Sequence, residues 1–526
     1  MRVSKFFSKR VIVNVAVVLS GMPYLASAQN VSNLAELESR LSSSDGGETI
    51  LLEPGHYGDL DVINKDYGSF VTIQSANTAK PAVFNSVSIQ GTSYLRLDNV
   101  LLSNSSNGEA ASSILSISGG SEFIEFINSE AHGLIDDDYS GHRIIDVEES
   151  SEVLIQNSFM HNGFRVIVLD SSAQIKIIGN TFEDIGGDEI KIIGIRGITI
   201  ENNTGATRKH PIEGDHVDFI QGESTSSYDM VIRGNVSLPE GRFTQQGIFL
   251  SDTTFHNVLI ENNLIYSELI RAIQVDDGST EVVIRNNTLF DIPEITSTKA
   301  SAIFAPDSAT LENNVYTSSI DKVGMDGSNL VIQHTHDNRN FFYNDYYRNP
   351  FAGPGVTIHD LTPVEGEITE SLGAFEKIND LFSDVVDSDN DSIRDSWELE
   401  HFPNLAATNG SSDSDSDGTN DFLEFLQDSD PHVGDSRRSL LGVVINKEDG
   451  ETGFSWTVNR ELNYGIDYEL EVSTDLGAWQ KLEESDYELK TVQAGSGMEK
   501  LTMTMRNSTG DQLFARITQV TEEEEE

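Results

Sequence analysis

The chain has 526 residues, 86 of them acidic and 34 basic, giving a formal net charge of −52, and it has no cysteine. Such a balance excludes a nucleic-acid partner, because phosphate binding needs a basic surface. The missing thiols exclude disulfides and thiolate chemistry, and the length allows two or three domains.

Residues 1–28 read as a secretory signal. Arg2, Lys5, Lys9 and Arg10 precede an apolar run from Val11 to Leu19, and Ala26-Ser27-Ala28 offers a cleavage site before Gln29. The run is too short for a spanning helix, and no later segment resembles one. The expectation is a secreted protein, extracellular or periplasmic, with no membrane span.

Residues 29–350 form a repeat region. LAELESRL (34–41) has helical spacing and is expected to cap the first repeat, and GGETILLEPGHYGDLDVI (46–63) starts the strands. Asn128, Asn157, Asn180, Asn203, Asn235, Asn263, Asn287 and Asn314 each close a short β-rich run, with Asn99 one interval earlier. Intervals between 23 and 32 residues without a helical pattern predict an all-β fold, a right-handed parallel β-helix. Asparagine suits the bend because it tolerates left-handed backbone angles, and its amide can stack into a ladder along the axis.

Residues 351–385 form a transition with Pro354 and Pro363. Residues 386–436 then carry two calcium-loop patterns. Asp387, Asp389, Asp391, Asp395 and Glu398 occupy loop positions 1, 3, 5, 9 and 12, and Asp413, Asp415, Asp417, Asp421 and Glu424 repeat them. This spacing wraps hard oxygen ligands around one point, so structural Ca2+ is expected. Ser392 stands where the first loop would have glycine; Gly418 fills that place in the second. These loops resemble the thrombospondin type 3 and dockerin-like calcium linkers of secreted proteins. Residues 437–526 alternate as short strands, predicting a small β-sandwich with an acidic tail. YELEVSTDLGAW (468–479) resembles accessory modules at the ends of secreted bacterial enzymes.

Candidate chemistry concentrates on a second strand of each central repeat: RVIVLD (165–170), DEIKII (188–193), HVDFIQ (216–221), QGIFLS (246–251), RAIQVD (271–276) and SAIFAP (301–306). Alternation along a strand predicts that Glu189 and Lys191 share one face, as do His216 and Asp218. Arg271, Gln221, Gln246 and Gln274 extend the polar stripe. Arg208-Lys209-His210, a basic tripeptide on an acidic chain, suggests attraction for an anionic ligand.

GDHVDFIQ (214–221) followed by FTQQGIFLSD (243–252) resembles secreted β-helix proteins of the pectin-lyase-like superfamily. GDEIKIIGIRG (187–197) is similar, more distantly, to the alginate lyase and chondroitinase B family of polysaccharide lyases. That family has Glu-x-Glu-Ile-Ile-x-x-Lys on one coil, the glutamates binding calcium and the lysine acting as base, with Arg-His on the next. Here Glu189 is followed by Lys191 in place of the second glutamate, Arg196 stands in place of the base, and His216 follows one coil later. The resemblance implies a monomeric enzyme acting on an anionic polysaccharide. Lys191, helped by Arg271, would hold the substrate carboxylate, His216 or Arg196 would take the proton, and Asp218 would orient His216.

The first reading is a polysaccharide lyase cleaving a uronate-containing glycan, with alginate first among substrates. A uronate C5-epimerase uses the same proton abstraction. A glycoside hydrolase could draw two carboxylates from Asp188, Asp218, Asp276 and Asp277. A non-catalytic adhesion protein would use the same fold and calcium loops.

Overall fold

The computed structural model describes residues 30–519 except 78–79, 105–112, 135–142, 207–216, 239–244, 268–270, 292–301, 319–323, 334–342, 344, 349, 351–360, 376, 378–390, 392, 403, 409–411, 416–418, 428, 430, 433–442, 447–451, 460–467, 475–478, 483–486, 496–497 and 506–513. Its body is a right-handed parallel β-helix, the hand that parallel crossovers almost always take.

The helix Leu34–Ser43 closes the first coil. Asn33 accepts from Glu36 N–H at 3.1 Å, and Glu36 Oε2 in turn accepts from Ser32 N–H at 2.9 Å, a reciprocal cap. Leu37 and Leu41 cover the end of the core.

Each coil then contributes to three stacks of parallel strands. The first is an eleven-stranded sheet that includes Glu122–Ile127, Ser151–Gln156, Ala173–Ile178, Arg196–Glu201, Ser227–Arg233 and Phe255–Glu261. Its alternating residues form inward rows such as Ile124–Val153–Ile175–Ile198–Met230–Val258, all buried. No coil can bury that face alone, which is why the sequence repeats. A front stack contains Ser113–Ser118, Arg143–Glu148, Arg165–Asp170, Ile190–Ile193, Val217–Gly222, Gln245–Leu250 and Arg271–Val275. A short-strand stack contains Glu130–His132, Phe159–Gly163, Thr181–Ile185, Thr204–Ala206, Val236–Leu238 and Leu264–Ser267.

The asparagine series divides into two adjacent jobs. Asn99, Asn128, Asn157, Asn202, Asn262, Asn286 and Asn313 have φ between 48° and 57° and make the bend, with Gly179 and Gly234 in the same place on their coils. The following residue faces inward and builds the ladder: Asn180, Asn203, Asn235, Asn263, Asn287, Asn314 and Asn329. Asn128 and Asn157 therefore belong to the bend; on their coils the ladder is continued by Ser129 and Ser158. Asn235 shows what a rung does. Its Oδ1 accepts from Asn203 N–H at 3.0 Å and from Asn203 Nδ2 at 2.9 Å, while its Nδ2 donates to Ile200 O at 2.9 Å and Asn263 Oδ1 at 3.0 Å.

Past the last coils the chain folds back on the short-strand stack. Tyr343, Tyr347, Leu361, Leu372 and Ala374 pack with Tyr266, Phe290 and Val315, and Ala374 N–H donates to Thr288 Oγ1 at 2.8 Å. The acidic segment contributes two helices, Asp395–His401 and Asp421–Gln427, each starting at position 9 of its loop pattern. Trp397, Phe422, Leu423 and Leu426 share one core with Phe454, Leu470 and Met503 of two antiparallel C-terminal sheets. The two helices of the acidic segment thus share one hydrophobic core with the terminal strands. Among the described residues no helix is long and apolar enough to cross a membrane.

Replacing Asn235 with alanine should cost about 2–4 kcal/mol, because Asn203 N–H and Ile200 C=O lose their partners inside the wall. Asn235→Ser should lose less, since a hydroxyl can still accept from the preceding coil, as Ser158 does from Ser129. Chemical denaturation of both variants checks this; equal losses would refute the ladder's role.

Candidate functional site

The front stack departs from simple alternation. Glu189 falls in register with Val166 and Phe219, and Ile190 with Ile167 and Ile220; all are buried. Two successive residues therefore turn inward on each coil, and the outward positions are those three apart, flanking the pair. Glu189 and Lys191 consequently do not share a face. Glu189 lies beside Gly205, where an added Cβ would stand 2.0 Å from its Oε2. The alignment of HVDFIQ also moves by two: Asp218-Phe219-Ile220-Gln221 lies opposite Asp188-Glu189-Ile190-Lys191.

Two outward rows result. One runs Arg143, Arg165, Asp188, Asp218, Gln246 and on to Arg271. The other runs Ser116, Asp146, Val168, Lys191, Gln221, Phe249 and Gln274. Of the proposed site residues, Lys191, Asp218, Gln221, Gln246, Arg271 and Gln274 are thus brought into two neighbouring rows.

Most of the charges in these rows are matched. Lys191 Nζ lies 2.7 Å from Glu223 Oε1, and Arg165 Nε lies 3.2 Å from Asp188 Oδ2. Asp188 Oδ1 accepts from Asp218 N–H at 3.3 Å, and Asp218 Oδ2 accepts from Gln221 Nε2 at 3.0 Å. Gln274 Nε2 donates to Asp276 Oδ1 at 2.9 Å. Arg271 sits over the Phe249 ring, 5.3 Å from its centroid, and is exposed. Among the described residues the buried amide oxygens of Gln221 and Gln246 have no hydrogen-bond partner.

Arg196 is not part of this group. It lies in the first sheet, opposite Ala173 and Tyr228, with its guanidinium 4.7 Å from the Tyr228 ring centroid. Its five-residue separation from Lys191 carries it around a corner of the coil, so it does not stand where a base would. Arg208, Lys209, His210 and His216 lie outside the described residues. So do Asp387, Asp389 and Asp417, whereas Asp391, Asp413 and Asp415 are described on the two loops. Asp395 opens its helix. Glu398, Asp421 and Glu424 are buried. Asp421 accepts from Thr408 Oγ1 at 2.7 Å and from Ser414 N–H at 2.9 Å.

Glu223 and Arg165 escaped the reading of the sequence. The signal for Glu223 was present: it follows Gln221 by two residues, so strand alternation returns it to the same side.

The sequence of residues 85–289 matches a family model described as a right handed beta helix region. No curated protein matches the chain. Solved structures with a similar path include an alginate lyase from Paenibacillus sp. str. FPU-7, at 14% identity over 54% of this chain and 96% of that one, with a TM-score of 0.31. The PL6 family alginate lyase AlyGC is matched at 12% identity over 65% of this chain and 56% of that one, with a TM-score of 0.34, so this chain spans little more than half of that protein's length. An endo-xylogalacturonan hydrolase from Aspergillus tubingensis is matched at 14% identity over 53% and 91%, with a TM-score of 0.31.

Asp146 gives the outward rows a pH signature. Burial pushes its carboxyl above the ordinary carboxylate range, and Arg143, 3.3 Å away, pulls it back only in part. The folded chain therefore takes up this proton at higher pH than the unfolded chain, and Asp146 costs stability as pH rises through that window. Asp146→Asn should raise the melting temperature at neutral pH by about 1–3 °C. The gain should vanish below about pH 3.5, where the carboxyl is protonated in both states. Melting curves at both pH values check it, and a gain that persists in acid would contradict it.

Proposed function

We propose that the protein binds an acidic, uronate-containing polysaccharide along the two outward rows and cleaves it by β-elimination, with alginate the first substrate to test. The supporting observation is Lys191, a cation in the middle of an outward row whose carboxylate partner, Glu223, keeps 29% of its side chain exposed. A uronate carboxylate can take the place of Glu223 and keep the ion pair.

β-Elimination needs that carboxylate neutralised, so that the proton on the adjoining carbon becomes acidic. Lys191 supplies the positive charge at close range, and exposed Arg271 supplies a second. His216, immediately before Val217, is the proposed base, and Asp218 two residues on is its proposed orienting group. The base takes the C5 proton, the electron pair forms the C4–C5 double bond, and the glycosidic C4–O bond breaks with its pair going to the leaving oxygen, which takes a proton from water. Gln221, Gln246 and Gln274 would meet sugar hydroxyls, and Arg208, Lys209 and His210 would draw the anionic chain towards an otherwise acidic surface.

An epimerase would return the same proton to the opposite face without cleavage. A hydrolase reading has one observation in its favour: Asp188 and Asp218 are carboxylates opposite one another on successive coils. Incubation with alginate separates these outcomes. A lyase gives an unsaturated product with new ultraviolet absorbance, an epimerase gives solvent exchange alone, and a hydrolase gives new reducing ends without absorbance. Lys191→Ala should lower kcat on the cleaved substrate about 100-fold or more, and Glu223→Gln should retain activity with a lower KM. Full activity in Lys191→Ala would sink the assignment.

Calcium in the two acidic loops is part of the same proposal. Both helices begin at loop position 9, and the position-12 glutamates Glu398 and Glu424 are buried at 0% and 3% exposure, which suits a hard-cation cage. Chelation should lower the melting temperature of the C-terminal unit, and calcium should restore it. The double variant Glu398→Gln, Glu424→Gln should lose that response; an unchanged response would remove calcium from the account.

A further inference from the structure

A second cluster lies on the short-strand stack, in a different row from the residues above. Glu130 and His132 sit on the strand Glu130–His132, and His161 on the next coil stands in register with His132. Ala131 between the first two enters the core, so Glu130, His132 and His161 share the other face. They are nevertheless buried, at 6%, 8% and 1% exposure. The imidazole rings stack with centroids 4.8 Å apart, and a donor atom from each of the three residues lies within 4.8 Å of the other two.

The hydrogen bonds set which nitrogen of each ring faces the centre. His132 Nδ1 is 2.7 Å from the Gly133 carbonyl, which can only accept, so Nδ1 carries the proton and the neutral ring presents a bare Nε2. His161 has acceptors at both nitrogens: Asn162 Oδ1 is 2.5 Å from Nδ1, and Glu130 Oε1 is 3.0 Å from Nε2. A neutral imidazole has one proton and cannot answer both. A cation held by Nε2 and the carboxylate would satisfy both groups while Nδ1 keeps the proton for Asn162.

The geometry points to a divalent transition-metal site of the zinc class, with Glu130, His132 Nε2 and His161 Nε2 as its three protein ligands. Two imidazoles and one carboxylate form a borderline donor set, which suits zinc, cobalt or iron better than calcium or magnesium. The Nδ1 contacts to Gly133 and Asn162 are the outer hydrogen bonds that fix ligand histidines in place. Zinc bonds of about 2.0–2.2 Å spread the ligand atoms of a tetrahedral site roughly 3.3 Å apart. The Glu130–His161 pair already has about that spacing, and His132 needs to close by about 1.5 Å at most. Three ligands leave one coordination position open. Such an ion would bind two successive coils together beside the row that begins at Arg143 and Arg165.

The test uses the full chain with calcium in excess, so that hard-oxygen sites are filled. Zinc titrated against a chromophoric chelator should show one tight equivalent. Cobalt(II) in its place should give the intense visible bands of a four- or five-coordinate nitrogen-containing site. His132→Gln and His161→Gln should each weaken zinc binding about 100-fold, while His256→Gln, on the first sheet, should leave it unchanged. Circular dichroism reports whether each variant folds. Zinc affinity in the wild type no higher than in the folded His132→Gln and His161→Gln variants would overturn the site and leave a His161–Glu130 ion pair. If the variants do not fold, the wild-type cobalt spectrum decides: a weak octahedral spectrum overturns the proposal, and an intense one supports it.

Discussion

The interaction on which the rest of the molecule depends is the amide-to-amide hydrogen bond between successive coils. From Asn203 to Asn329 each inward asparagine offers its carbonyl oxygen to the backbone and side chain of the rung before it, and its amide to a main-chain carbonyl. A coil that slipped by one residue would lose these bonds and turn its Val and Ile side chains outward at once. The ladder and the apolar rows therefore enforce the same register. Loops between coils can vary in length without disturbing it, and the steps along the ladder run from 15 to 32 residues.

That fixed register is what turns scattered residues into a surface. In the front stack two neighbouring positions on each coil turn inward, and the residues on either side of them form two parallel polar rows. Lys191 with Glu223, and Arg165 with Asp188, are ion pairs held within those rows. In a chain of net charge −52, Arg143, Arg165 and Lys191 of the rows are answered by the protein's own carboxylates. Under the proposed function an anionic polymer would exchange with one of these carboxylates, and Glu223, the more exposed partner, is the one placed to give way.

The period of the fold was legible in the sequence because stacking forces the same residue class back at each coil. Its finer division was not. Asn128 and Asn157 look identical to Asn180 in one dimension, yet they bend the backbone one position before the ladder, and only the serine after each betrays the difference. In the candidate site Lys191, Asp218 and Gln221 were recognisable as polar intruders in strands that otherwise avoid charge. Strict alternation puts Glu189 on the face of Lys191, and the structure differs because two consecutive residues turn inward on each coil. A corner of the coil separates Arg196 from Lys191, which spacing along the sequence does not reveal. His132 and His161 do carry a sequence signal: each stands four residues after a bend asparagine, Asn128 and Asn157 respectively.

The most direct measurement is a crystal structure of the protein soaked with a short mannuronate or guluronate oligomer. The account predicts a sugar carboxylate at Lys191 Nζ, Glu223 turned away, and the oligomer running along the helix axis over Gln221, Gln246 and Arg271. An oligomer bound elsewhere, with Lys191 still paired to Glu223, would contradict it.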